Sequence, residues 1–260
     1  VNHPAVIAPV VTLDNHAFFF DVDGTLAAIQ SRPDEVFIPS SVITCLQKLS
    51  VGCGNALALV SGRPLSELDA LTAPLRLPLA GVHGAERRDV AGKVHCISLP
   101  DEVSKSVLQQ LRQVLATLPG TLLESKGMAF ALHFRNAPEY ADEVQDLAEK
   151  MVMQFPQLVL QPGKCVVELK PKGVDKGLAL HQFMQEALFS GRIPVFVGDD
   201  VTDETGFGVV NALGGVAIKV GQGQTQASFR MDNVEEVHRW LEKLTSQLHQ
   251  DTTFIGKELR

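Results

Sequence analysis

Five short apolar runs, each closed by a Gly, Asp or Ser cluster, constrain the fold of this 260-residue chain more than any other feature. They are AFFF before Asp21, ALALV before Ser61, LPLAGV before His83, PVFV before Gly198, and VAIKV at 216–220. Continuous apolar runs suit strands buried on both faces, as in a parallel sheet. Helical periodicity lies between several of them. Ser40 to Leu49 sets Val42, Ile43, Cys45, Leu46 and Leu49 on one face, and Lys176 to Leu188 repeats the pattern with Leu180, Phe183 and Met184. Alternating strands and helices predict a doubly wound α/β sheet.

The middle of the chain follows another rule. ERRDVAGKVHCI reads as a β-hairpin turning at Ala91-Gly92, and Asp101 to Leu118 as a helix stopped by Pro119-Gly120. LLESKGMAFALHFR alternates as a strand pair, Pro138 to Phe155 reads as a second helix, and KCVVELKP as a further strand. The expected architecture is therefore a Rossmann-like α/β core from residues 1–99 and 172–260, with an α+β insert at 100–171.

Net charge of −7 argues against nucleic acid as the partner, since backbone phosphates are held by clustered Lys and Arg. No apolar run reaches the roughly 20 residues of a membrane span. The N-terminal VNHPAVIAPVVTLDNHAFFF is interrupted by Pro4, Pro9 and Asp14 and carries no basic leader, so it reads as a short tail and then a strand, not a signal peptide. Cys45, Cys53, Cys96 and Cys165 show no CxxC pairing and read as buried free thiols in a reducing, cytoplasmic compartment.

In an open parallel sheet, ligands bind at the carboxyl ends of the strands. Three polar clusters follow strands directly: DVDGT, SGR and GDDVTDE. On neighbouring parallel strands they converge on one edge. Asp21 and Asp23 alternate on extended chain, and Asp199, Asp200, Asp203 and Glu204 come from a distant segment. So many carboxylates in one crevice repel unless a cation lies among them. All-oxygen ligation with few protein groups suits Mg²⁺, and no His/Cys cluster has zinc spacing. Ser61, the Gly62 amide and Lys176 supply the polar and cationic half, able with the metal to offset the charge on a transferring phosphoryl group. A carboxylate nucleophile then divides hydrolysis into two easier steps.

Taken in order, DVDGT, the Ser-Gly after the second strand, the later Lys-Gly and GDDVTDE resemble the four motifs of the haloacid-dehalogenase (HAD) superfamily of phosphotransferases, and the insert resembles its type-C2 cap. A finer resemblance, to the bacterial trehalose-6-phosphate phosphatases, rests on SGR at 61–63, AGVHGAERR at 80–88, ESKGMAFALHFR at 124–135, GKCVVELKP at 163–171 and GDDVTDE at 198–204. It runs from about Phe18 to Trp240. The resemblance implies that Asp21 is the nucleophile and a Mg²⁺ ligand. Asp23 would be general acid and then base, binding metal through its backbone carbonyl. Asp199 would be a third ligand, with Asp200 and Asp203 bound through water or one shell out. Ser61 and Lys176 would hold phosphate, and Glu124, Lys126 and Glu168 would read sugar hydroxyls. The substrate implied is trehalose 6-phosphate, turned over by a monomer that needs neither nucleic acid nor membrane.

Several residues keep two readings. Arg63 is a substrate or gating group, or a surface charge. His83 is a structural histidine or a ligand contact. His133 and Arg135 alternate on an insert strand and face either sugar or solvent. Glu124, Lys126 and Glu168 read sugar or form a surface ion pair. Glu204 reads as a helix N-terminal acid favoured by the macrodipole. Related capped phosphatases of other sugar phosphates, and a catalytically silent sugar-phosphate sensor, are the rival functions. VAIK at 216–219 matches the kinase lysine strand without HRD or DFG, and GQGQTQ at 221–226 lacks the third glycine of a dinucleotide loop.

Overall fold

A computed structural model describes residues 9–246 and 248; the start of the short tail expected ahead of the first strand lies outside them. In chain order the elements are β1 (His16–Phe20), α1 (Ser40–Gly52), β2 (Leu57–Val60), α2 (Leu65–Thr72), β3 (Leu79–Gly81), β4 (Glu86–Arg88), β5 (Val94–Cys96) and α3 (Asp101–Leu115). Then come β6 (Leu122–Ser125), β7 (Phe130–His133), α4 (Ala141–Gln154), β8 (Leu158–Gly163), β9 (Val166–Pro171), α5 (Lys176–Met184), β10 (Ile193–Gly198), α6 (Glu204–Ala212), β11 (Val216–Val220), β12 (Phe229–Met231) and α7 (Val234–Ser246).

All five apolar runs form strands of one eight-stranded sheet, ordered β12-β11-β10-β1-β2-β3-β4-β5. Its first six strands pair in parallel, and β4 and β5 add antiparallel at the edge. The hairpin at 86–96 therefore extends the large sheet and is no part of the insert. Central β1 is apolar throughout because it is covered twice. Phe19 stacks on Phe189 at 5.2 Å on one side, while Phe20 meets Trp240 of α7 at 6.3 Å on the other. Phe18, Phe19 and Phe20 have no solvent exposure, and burying a side chain of this size stabilises by about 1.5–3 kcal/mol.

A second, four-stranded antiparallel sheet, β6-β7-β9-β8, carries α3 and α4 on one face. Val107, Leu111, Val144 and Met151 of the helices pack with Phe130, Leu132, Val167 and Leu169 of the strands in a separate apolar cluster. The alternate residues of those strands face away from the helices. Register fixes their neighbours: Glu124 lies opposite Ala131, and Ala131 opposite Glu168.

Boundaries differ from expectation where the chain leaves α geometry early. The helix from Asp101 ends at Leu115 and becomes turns up to Leu118. The helix from Lys176 ends at Met184, and Pro138–Tyr140 form a 3-10 turn ahead of α4. Cys45 and Cys53 are buried as expected, but Cys96 is exposed on edge strand β5 and Cys165 is half-buried at a turn; all four are free thiols. Among the described residues, no helix is long and apolar enough to cross a membrane.

Candidate active site

A cleft of about 570 Å³ lies between the two sheets, within the usual size range for small-molecule sites. Strands β10, β1 and β2 are parallel neighbours, so Asp199, Asp21 and Ser61, each just past its strand, meet at one edge. Lys176 is the first residue of α5, whose Asp175 cap accepts from the Leu178 amide at 2.8 Å. That cap aims the lysine along the sheet edge. Its Nζ donates to Asp21 Oδ2 at 2.8 Å and to Asp203 Oδ1 at 2.6 Å. Burial opposes the charge, but Asp203 and then Asp21 outweigh it and hold the ammonium protonated.

Asp21, Asp199 and Asp203 bring carboxylate oxygens within 4.8 Å of one another. Burial, then Asp203, raise the Asp21 pKa well above the usual carboxylate range despite Lys176. The same two causes push Asp199 up to about 7. Asp203 is fully committed: besides Lys176 it accepts the amides of Asp199 and Asp200, both at 2.9 Å. Asp21 accepts the Val22 amide at 2.7 Å besides Lys176, whereas Asp199 has only the Thr25 hydroxyl at 3.5 Å; with one ammonium among three carboxylates, the trio fits a hard cation that would supply further countercharge. Gly24 keeps the space beside Asp199: its φ is +78°, and a Cβ there would lie 2.1 Å from Asp199 Oδ2.

Asp23 and Asp200 line the cleft outside this trio. Arg63 takes both oxygens of Asp23, at 2.7 and 2.8 Å. It also donates to Glu67 and to the Pro33 carbonyl, both at 2.9 Å. With its side chain only 11% exposed, Arg63 is not a surface charge. Ser61 is buried, and its Oγ accepts the Arg63 amide at 3.2 Å.

Across the cleft, the outward face of the small sheet presents Leu122, Glu124, His133, Val166 and Glu168. Ala131, itself buried, separates the two glutamates in register. Glu124 Oε2 is 2.8 Å from His133 Nε2; burial acts against its charge, but His133 and Lys126 keep its pKa below the ordinary value. Lys126 donates to Glu168 Oε1 at 2.8 Å and to the Gly62 carbonyl at 2.9 Å. Burial is likewise outweighed at Glu168, where His83 and Lys126 hold the carboxyl far below its usual range. Arg135 is exposed at the rim and donates to the Lys164 carbonyl at 3.2 Å.

The cleft is lined by Asp21, Asp23, Ser61, Arg63, His83, Lys176, Asp199 and Asp200 on one side and by Glu124, Lys126, His133, Arg135 and Glu168 on the other, whereas Asp203 is wholly buried beneath it and Glu204 does not line it. The structure adds the 29–34 segment and Glu67, which carried no recognisable pattern. It also gives a place to Lys219 in VAIK: this buried ammonium donates to the Asp199 carbonyl. Glu204 accepts the Gln226 amide at 2.9 Å, so GQGQTQ ends in a tether to α6 and not a nucleotide loop.

The trehalose-phosphatase family profile matches residues 19–235. The chain is 54% identical over 235 residues to the trehalose-6-phosphate phosphatase of Escherichia coli K12, covering 90% of this chain and 88% of that protein. A solved trehalose-6-phosphate-phosphatase-related protein superposes with a TM-score of 0.77 at 25% identity, over 90% of this chain and 99% of the other. A haloacid dehalogenase-like hydrolase from Bacteroides thetaiotaomicron shares the fold, with a TM-score of 0.64 at 16% identity over 88% and 99% of the two chains.

Proposed function

The chain belongs to the trehalose-phosphatase family, and from that premise we propose that this cleft hydrolyses trehalose 6-phosphate to trehalose and phosphate through an aspartyl-phosphate, with the 100–171 segment as its cap. One observation carries the reading: across a single cleft of about 570 Å³, a buried carboxylate paired with lysine faces two glutamates of a separate sheet and the lysine that follows its first strand. The first half handles phosphate and the second reads hydroxyls.

Asp21 attacks phosphorus, and the bond from phosphorus to the sugar 6-oxygen breaks. Asp23 gives that oxygen a proton, then removes one from the water that cleaves the acyl phosphate. Arg63, anchored by Glu67 and Pro33, fixes where Asp23 waits. Lys176, Ser61 and the Gly62 amide hold the phosphoryl oxygens. Mg²⁺, held by Asp21, Asp199 and the Asp23 carbonyl with Asp200 nearby, would supply countercharge to the phosphoryl group. Closing the cap keeps bulk water from the acyl phosphate. The reading includes a cytoplasmic monomer serving trehalose synthesis, in keeping with four free cysteines.

Phosphate release from trehalose 6-phosphate, with and without Mg²⁺, tests the proposal against a panel including sucrose and mannosylglycerate phosphates. Equal rates across the panel would exclude the assignment. In the same assay Glu124→Ala is expected to lower kcat/KM on trehalose 6-phosphate by about 10²-fold, and that on a small aryl phosphate far less. Equal losses would mean that Glu124 does not read the sugar.

Metal affinity should depend on pH. Asp199 has a folded pKa raised to about 7, so its contribution to stability is present at acid pH and lost as pH rises through 7. Mg²⁺ restores it by binding the carboxylate. Below pH 7 a proton competes, and affinity is expected to fall by up to about tenfold per pH unit. Calorimetry in buffers of different ionisation heat reads the released proton; a binding constant flat from pH 6 to 8 would rule this out.

A further inference from the structure

His83 has no role in the chemistry above, yet its backbone is held in an unfavourable place. Val82 and His83 are consecutive non-glycine residues at φ +48° and +56°, a left-handed conformation that β-branched residues rarely adopt and that persists only when neighbours over-determine it. The neighbours here are specific. The His83 amide donates to the Ser61 carbonyl at 2.9 Å. Its buried ring lies on Gly62 so closely that a Cβ at Gly62 would sit 2.8 Å from Cε1 and Nε2. Histidine 83 is thus moulded onto the loop that presents Ser61 and the Gly62 amide.

The ring's other contact comes from the opposite side of the cleft. Nε2 lies 2.6 Å from Glu168 Oε2 on β9. Since Glu168 is held as a carboxylate, it only accepts, and Nε2 carries the proton. Nδ1 is buried with no hydrogen-bond partner among the described residues, which leaves Glu168 as the ring's polar anchor. Lys126 completes the circuit, donating at once to Glu168 and to the Gly62 carbonyl. Gly62, His83, Glu168 and Lys126 form a closed ring of contacts across the two sheets. The members assigned to sugar on the far side are bonded to the phosphate loop on the near side.

We propose that His83 is a positioning residue for substrate selection: it holds Glu168 from the core side, so that correct seating of the sugar readers and correct geometry of the phosphate loop are one event. The inference rests on the activity proposed above. A substrate with no sugar makes no use of Glu168 and gains little from the coupling.

His83→Asn removes the reach to Glu168 while suiting the left-handed backbone. Its kcat/KM for trehalose 6-phosphate is expected to fall by about 10²-fold, chiefly in KM, with a loss at least about tenfold smaller on p-nitrophenyl phosphate. His83→Gln, which keeps a donor at similar reach, restores much of it. The His83→Asn/Glu168→Gln double variant loses little more than the worse single one, because both break the same link. Equal losses on both substrates, or fully additive losses on trehalose 6-phosphate, would overturn the inference. Thermal melting checks folding, and if His83→Asn melts early the same comparisons are made on His83→Gly, which suits the left-handed backbone and also removes the reach to Glu168. Wild-type protein inactive on trehalose 6-phosphate but active on the aryl phosphate would refute the substrate assignment, a different result from failure of the His83 comparisons.

Discussion

Asp21→Asn is expected to lose about 10⁴-fold or more of kcat on trehalose 6-phosphate, because an amide cannot form the acyl phosphate. The same substitution should make metal-free protein melt higher. Asp21 is a buried carboxylate raised in pKa by burial and by Asp203, with Lys176 only partly compensating. A folded pKa above the unfolded one means that Asp21 costs the fold stability at neutral pH, and a neutral amide removes that cost less the one hydrogen bond its NH2 cannot accept from Val22 or Lys176. Phosphate release and thermal melting on one preparation read both effects. Activity persisting in fresh, undeamidated Asp21→Asn would remove Asp21 as nucleophile, and an unchanged or lower melting temperature would refute the electrostatic account.

Lys176→Met should damage activity and stability together. The ammonium is 2% exposed and lies between Asp21 and Asp203. Without it two carboxylates remain buried against each other, and breaking such a pair from one side costs about 3–5 kcal/mol, a fall in melting temperature of roughly 10 °C for a chain of this size. Turnover should drop by about 10³-fold, as the charged group proposed to hold phosphate is lost at the same time. The stability deficit should shrink at acid pH, where Asp21, raised in pKa by its burial, takes up a proton. A variant melting within a degree or two of wild type at neutral pH would show that Lys176 does not hold this cluster together.

The core was legible because its strands are buried on both faces: AFFF, ALALV, PVFV and VAIKV contain nothing that favours another state. The clusters after them were legible because parallel order places strand ends together. Strand β8 escaped notice because Pro162 and Gly163 contradict strand propensity; Pro is tolerated there since β8 is the outer edge of its sheet. The amphipathic helix α7, with Val237, Trp240, Leu241 and Leu244 buried on one side, carries a readable 3.6-residue pattern. Contacts between distant segments were beyond local pattern. Arg63 gave no sign that its guanidinium would clasp Asp23, and Lys219 sat in a motif that suggested the wrong enzyme. His83 was left between two readings because its strain exists only in the folded backbone.

The order of strands in the large sheet also governs how the protein comes into being. β1 pairs on one side with β2, made soon after it, and on the other with β10, where His16 meets Ile193. At a synthesis rate of about 5–20 residues per second, Ile193 leaves the ribosome roughly 10–35 s after His16. Through that interval β1 has an open edge, while the small sheet, whose strands all lie within residues 122–171, has time to close. Nascent chains are therefore most exposed to edge-to-edge association just before β10 arrives, and the carboxylates that follow β1 and β10 are brought together only once β10 has been made.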